Sequence, residues 1–221
     1  MKNPFSFIPL DAAVWDEMNT QRILPRLWQV DYTIWKPEPT EITNRLGWLN
    51  SPQVMTGMVP RIQALAEQIN NEGYTQALLL GMGGSSLAPD LFRQVFPQQP
   101  SGLTLSVLDS TDPDAVLAQQ KRIDPSRCLF IVSTKSGTTE ETISFFKYFY
   151  NWVVDNLGAD HASQHFIAIT DPGSKLASLA QAFQFRAVFL NDPNIGGRYS
   201  ALSCFGLLPA ALAGVDISLL L

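Results

Sequence analysis

Residues 77–86 read ALLLGMGGSS, and residues 128–142 read CLFIVSTKSGTTEET. In each, a short apolar run ends in a stretch of glycine and hydroxyl residues, and a helical pattern follows. A run that is apolar at every position, rather than at alternate ones, predicts a strand covered on both faces. Such runs recur at Ala77 to Met82, Leu103 to Leu108, Cys128 to Ser133, Phe166 to Thr170 and Ala187 to Leu190. The helices between and after them are expected to begin near Ser86, Asp112-Pro113, Thr138, Ser174 and Tyr199. Strand and helix in alternation specify an α/β protein, a three-layer αβα sandwich around a five-stranded parallel sheet. For the strand order 2-1-3-4-5, ligands settle beyond the carboxyl ends of the strands, between the loops after strands one and three. Those are the two stretches quoted above.

Upstream, the sequence to about Asn50 is irregular, with Trp15, Trp28, Trp35 and Trp48 scattered among prolines and charges. Residues 1–50 are read as an arm of short helices laid over a domain of residues 51–221, with the tryptophans as apolar anchors. A helix is expected from Ser51-Pro52, a capping serine followed by proline at the first helical position, to Asn71–Gly73. Met55, Met58, Ile62, Leu65 and Ile69 line one of its faces.

The composition is 46% hydrophobic and 16% charged, which specifies a packed core. A net charge of −5 argues against a sequence-independent grip on nucleic acid, so any phosphate must be held by a few well-aimed donors. Cys128 and Cys204 lie in apolar stretches without CxxC spacing and are expected as buried free thiols, consistent with the cytoplasm. The opening MKNPFSFIPLDAAVWDEMN breaks its apolar run with prolines and acids, which does not suit a signal peptide. Pro209 and Asp216 interrupt the apolar segment from Tyr199 to Leu221, so a buried helix is expected there and no membrane span.

The first loop, Gly81 to Ser86, combines glycines that let the backbone approach a ligand with Ser85 and Ser86 beside the unpaired N–H groups of a helix start. An anion is favoured at such a place. A tight strand-to-helix turn with a serine cap accounts for the same residues. A Walker loop is excluded because no lysine follows the glycines. The dinucleotide fingerprint GxGxxG wants glycine where Ser86 stands, although Asp109 imitates its ribose-binding acid. In the second loop, Ser133, Thr134, Ser136, Thr138 and Thr139 crowd around Gly137, with Lys135 among them. A capping box of Thr138 and Glu141 explains one hydroxyl and one glutamate. It leaves the other hydroxyls for a phosphate dianion, which several hydrogen bonds of about 1.5–3 kcal/mol each can hold without a metal. Glu140 and Glu141 are read as first-turn acids complementing the helix dipole.

A third stretch, NDPNIGGRYSALS, sets Arg198 among glycines after the fifth strand. An arginine at the mouth of a phosphate crevice can steady negative charge developing on oxygen, and a structural ion pair is the competing role. His161 and His165 precede the fourth strand, at the amino side of the sheet, and are read as surface or structural residues.

Together LLLGMGGSSLAP, STKSGTTEET and NIGGRYSALSCFGLLP resemble, in order, the phosphoglucose isomerase family, whose domains are of the sugar isomerase (SIS) type with flavodoxin-like strand order. The likeness covers roughly Gly47 to Ala213. STKSGTT fits SIS domains generally, and the GGRYS that follows points to this isomerase. RLGWL, residues 45–49, resembles the stretch joining the halves of bifunctional transaldolase/phosphoglucose isomerases.

The resemblance implies interconversion of glucose 6-phosphate and fructose 6-phosphate, in glycolysis and gluconeogenesis, without metal or other cofactor. It puts Gly84, Ser85 and Ser86 at the substrate, and Thr134, Lys135, Ser136, Gly137, Thr138 and Thr139 on the phosphate. Arg198 corresponds to the arginine that stabilises the cis-enediolate while a carboxylate shuttles a proton. Family members continue into a second SIS domain that supplies the glutamate base, a histidine and a lysine, and no segment matches these. The ending ISLLL reads as an interrupted helix. The chain is therefore expected to bind sugar phosphate but to isomerise little by itself, as a homodimer or in association with a second domain. A non-catalytic phosphosugar sensor is the alternative, and Arg198 speaks against it because a sensor has no enediolate to stabilise. A nucleotide-binding fold is disfavoured by Ser86.

Overall fold

The computed structural model describes residues 11–97 and 99–221. The reading of the first ten residues lies outside these. Two short helices, α1 (Ala12–Thr20) and α2 (Ile23–Trp28), precede α3 (Ser51–Thr56) and α4 (Val59–Asn71). The chain then alternates as β1 (Gln76–Gly81), α5 (Gly84–Val95), β2 (Thr104–Leu108), α6 (Pro113–Arg122) and β3 (Cys128–Ser133). It continues with α7 (Glu140–Leu157), α8 (Ala159–Ala162), β4 (Phe166–Thr170), α9 (Lys175–Ala182), β5 (Ala187–Leu190) and α10 (Cys204–Leu212).

The sheet is parallel throughout, in the order β2-β1-β3-β4-β5. Alternate strand residues feed two cores. Leu79, Ile131, Ile167 and Phe189 pack against α4 and α10, while Leu78, Leu80, Phe130 and Val132 pack against α7 and α9. Both faces are covered, which is why the runs are apolar at every position. Phe130 stacks on Phe166 with ring centroids 4.9 Å apart, and Phe146 meets Phe166 edge-on at 5.7 Å. All nine residues of α10 are buried, so the apolar segment beginning at Tyr199 forms a core helix. Among the described residues no helix is long and apolar enough to cross a membrane. Cys128 and Cys204 are buried and free, and burial pushes both thiols well up.

Several local expectations are corrected. The helix expected from Ser51 to Gly73 is two helices, broken at Gly57–Met58, because Pro60 lacks the N–H an uninterrupted helix needs and instead opens α4. Ser51 is not the cap: it is the first residue of α3, and its buried hydroxyl has no partner among the described residues. Helix α5 starts at Gly84, before Ser86. The last helix starts at Cys204 rather than Tyr199, because Ser203 accepts from the Phe205 N–H and so provides the cap. Trp15, Trp28 and Trp35 are 45%, 62% and 50% exposed, since neither α1 nor α2 buries a residue against the domain. Trp48 does find a partner, stacking on Tyr199 at 5.8 Å.

His165 sits at the amino end of the sheet, its Nδ1–H donating to the Cys128 carbonyl at 3.0 Å. Burial holds its imidazole below the usual range, so the unfolded chain takes up a proton more readily than the folded one. Its contribution to stability is present above the unfolded value of about 6.5 and is lost as pH falls through the folded value. Denaturation curves at about pH 7.5 and about pH 5 should show the wild type losing stability on acidification, and His165→Gln should lose less.

Candidate functional site

Strands β1 and β3 are neighbours whose last paired residues are Gly81 and Ser133, so the loops that leave them emerge side by side at the carboxyl end of the sheet. The Ser133 hydroxyl donates to the Ser85 carbonyl at 3.4 Å and joins the two loops. The second loop is shaped by β4 and the turn after it. The Thr134 N–H donates to the Ile169 carbonyl, and the Asp171 N–H and Thr170 hydroxyl both donate to the Lys135 carbonyl. Gly137 has φ +70°, and a Cβ there would stand 2.3 Å from the Leu176 nitrogen, so only glycine lets this loop lie against the start of α9.

Between the loops is a cleft of about 390 Å³, lined by Gly84, Ser85, Thr134, Lys135, Ser136 and Thr139 among the expected binding residues. Gly137 and Thr138 are not on its lining, and each supports a lining residue. Gly137 makes the turn, and the Thr138 hydroxyl pairs with Ser136 Oγ at 2.7 Å. Thr134 and Thr139 pair their hydroxyls at 2.9 Å. The competing capping box is not formed: Thr139, not Thr138, precedes α7, and among the described residues no side chain caps the helix. The helix therefore keeps its amino-terminal donors and partial positive charge without an internal acceptor, with Glu140 and Glu141 in its first turn.

Ser86 is buried away from the cleft, donating to the Gly83 carbonyl at 3.0 Å and lying 3.5 Å from Asp109 Oδ2. Lys135 is likewise engaged. Its ammonium pairs with Asp171 and donates to the Pro193 carbonyl at 2.6 Å, tying together the loops that follow β3, β4 and β5. Burial pushes the Asp171 carboxyl above its usual range although Lys135 pulls the other way, and its second oxygen has no partner among the described residues.

Arg198 lies on an adjoining cleft of about 590 Å³ that shares Arg45, Gly84 and Gly197 with the first. It makes no ion pair or hydrogen bond with another described residue. The two clefts meet where the glycine loop touches the arginine loop. The Ser200 hydroxyl donates to the carbonyls of Gly197 and Gly84 at 2.8 and 3.2 Å. Sequence reasoning missed Arg45, Asp171 and Ser200. Asp171 was findable, because DPGS follows directly on the carboxyl end of β4. Arg45 was not, because nothing in the arm's sequence says that it reaches the sheet. His161 and His165 precede β4, at the opposite end.

Residues 54–218 match the family model of phosphoglucose isomerase. The chain belongs to the phosphoglucose isomerase family. A glucose-6-phosphate isomerase from Thermus thermophilus is 34% identical over 177 residues, covering 80% of this chain and 41% of that protein. One from Prochlorococcus marinus is 35% identical over 181 residues, 76% of this chain and 34% of that protein. Among solved structures, a hypothetical protein from Thermus thermophilus aligns with TM-score 0.77 and 29% identity, over 93% of this chain and 47% of that one. A glucose-6-phosphate isomerase from Chlamydia trachomatis shares the fold at TM-score 0.75 and 19% identity, over 90% of this chain and 41% of that one. The chain thus spans less than half the length of these phosphoglucose isomerase relatives.

The close approach of the glycine loops gives a test. A Cβ on Gly84 would stand 2.4 Å from the Gly197 carbonyl oxygen, whereas one on Gly197 would meet nothing nearer than 3.9 Å. Gly84→Ala should therefore cost about 1–3 kcal/mol of stability in a urea titration. Gly197→Ala should stay within about 0.5 kcal/mol of wild type, and equal losses in both would show that the contact is not the cause.

Proposed function

We propose that this chain is the phosphosugar-binding part of a glucose-6-phosphate isomerase, which interconverts glucose 6-phosphate and fructose 6-phosphate. The observation that carries the reading is the pair of strand-end loops forming one cleft, its hydroxyls gathered at a helix start that has no side-chain cap. In this proposal Thr134, Ser136 and Thr139 donate to the phosphate, with Thr138 and Gly137 shaping the loop. Lys135, paired with Asp171, fixes the loop's main chain; Gly84 and Ser85 form the wall along the sugar, and buried Ser86 shapes it from behind through the Gly83 carbonyl. Phosphate is the remote handle whose binding holds the reacting carbons in place. Arg198, without a polar partner among the described residues, meets the charge that appears on oxygen only during reaction, where a donor does most for rate.

The same reading takes residues 1–50 as an arm on a domain of residues 51–221, in a cytoplasmic protein that pairs with a second domain or a second copy. The carboxylates on the two clefts are poorly suited to shuttle a proton. Asp171, although burial raises its carboxyl, is tied to Lys135 where three loops join, and Glu41 is a solvent-exposed carboxyl that Arg45 holds below its usual range, a weak base with or without that pair. The chain by itself is therefore expected to show little or no turnover in a coupled isomerase assay, and robust turnover would overturn this division of labour.

Calorimetric titration with 6-phosphogluconate tests the binding. Ser136→Ala and Thr139→Ala each remove a hydrogen bond to a charged group, about 1.5–3 kcal/mol, and should weaken affinity by roughly 10- to 100-fold. Unchanged affinity in both variants would reject the loop assignment.

A further inference from the structure

Arg45 belongs to the arm, yet it lines both clefts described above. Its backbone is firmly mounted on the loop that carries Arg198. Leu46 forms an antiparallel bridge with Ile195, the Gly47 N–H donates to the Asn194 carbonyl at 2.9 Å, and the Gly196 N–H approaches the Arg45 carbonyl at 3.5 Å. A Cβ on Gly196 would stand 3.3 Å from Arg45 Cδ, so the side-chain stem lies along that loop.

The guanidinium is held far more loosely than the backbone. Its partner is Glu41, at 2.5 Å, in a pair whose side chains are 39% and 64% exposed. Such an exposed pair shifts an equilibrium by no more than about fivefold. Lys135, by contrast, is engaged by a carboxylate only 13% exposed and by a carbonyl, and is not available without breaking both contacts. Of the cations on the phosphate cleft, Arg45 is therefore the one that an arriving dianion can recruit. A guanidinium donating to a phosphoryl group forms a charge-assisted, often bidentate contact, stronger than the one it gives up.

We propose that Arg45 is a ligand-binding residue, which leaves Glu41 when a phosphorylated sugar arrives and donates to that ligand from the rim the two clefts share. The arm is thereby part of the site, and Glu41 is an internal competitor for the arginine. This inference rests on the phosphosugar reading given above.

The two partners of the ion pair should act in opposite directions. In calorimetric titration of the purified chain with 6-phosphogluconate, Arg45→Ala should weaken affinity roughly tenfold. Glu41→Gln, which removes the competing charge, should tighten it by about two- to fivefold. The salt dependence of affinity should be shallower in Arg45→Ala than in wild type. Circular dichroism melts of both variants check that the fold is kept. A merely structural pair predicts that both substitutions weaken binding alike or that neither matters, and either result overturns the proposal. If Ser136→Ala weakens binding while Arg45→Ala does not, the role of Arg45 alone is rejected. If wild type binds no 6-phosphogluconate, the phosphosugar reading falls and this inference with it.

Discussion

The hydrogen-bonded pairing of β1 with β3 is the constraint on which the site depends. These strands are separated in sequence by α5, β2 and α6, yet they lie side by side and run the same way. Because their carboxyl ends coincide at Gly81 and Ser133, two loops far apart in sequence open at one place. The helices that follow depart to opposite faces of the sheet, α5 towards α10 and α7 over the other core. A gap lined by backbone and short hydroxyl side chains is left between them. Antiparallel pairing of the same strands would send the loops to opposite ends, and no cleft would form.

Within that cleft, electrostatics are arranged so that the strongest charges cancel internally. Lys135 and Asp171 neutralise each other at the point where three strand-end loops meet, and they stiffen the site. What stays open around it are the amides at the start of α7, hydroxyls paired only with one another and, on the adjoining cleft, the guanidinium of Arg198; the proposed function assigns binding to these groups. Paired hydroxyls keep their spare hydrogen-bonding capacity close together, which suits a small, highly charged group with many acceptor oxygens. The protein's net charge of −5 is no obstacle, because these donors act at contact distance.

Much of this was legible from residues 77–221. Three of the strands have the bounds that their apolar runs suggest, alternation of strand and helix gives the parallel sheet, and the strand order is the flavodoxin-like one that the family resemblance implies. The three unusual loops do converge at one end of the sheet. What local patterns missed were competitions between side chains. Ser51 and Thr138 have the residue type and spacing of caps, but α3 already begins at Ser51 and the Thr138 hydroxyl pairs with Ser136 within its own loop. Lys135 has the look of a phosphate ligand, and its partner Asp171 lies 36 residues away. The arm was hardest to read, because its tryptophans suggested burial that α1 and α2 do not provide.

The sequence by itself determined which segments become strands and helices, the layering of the sheet, the loops in which hydroxyls and glycines collect, and the family to which these motifs point. Those are consequences of local periodicity and turn chemistry, which act over a few residues. Only the tertiary structure decided that Arg45 of the arm stands beside the cleft, that Lys135 is held by Asp171, and that Gly84 touches Gly197. Each joins residues from separate strand-end loops or from the arm. Such contacts depend on how packed layers bring distant backbone together, and no short-range pattern encodes that.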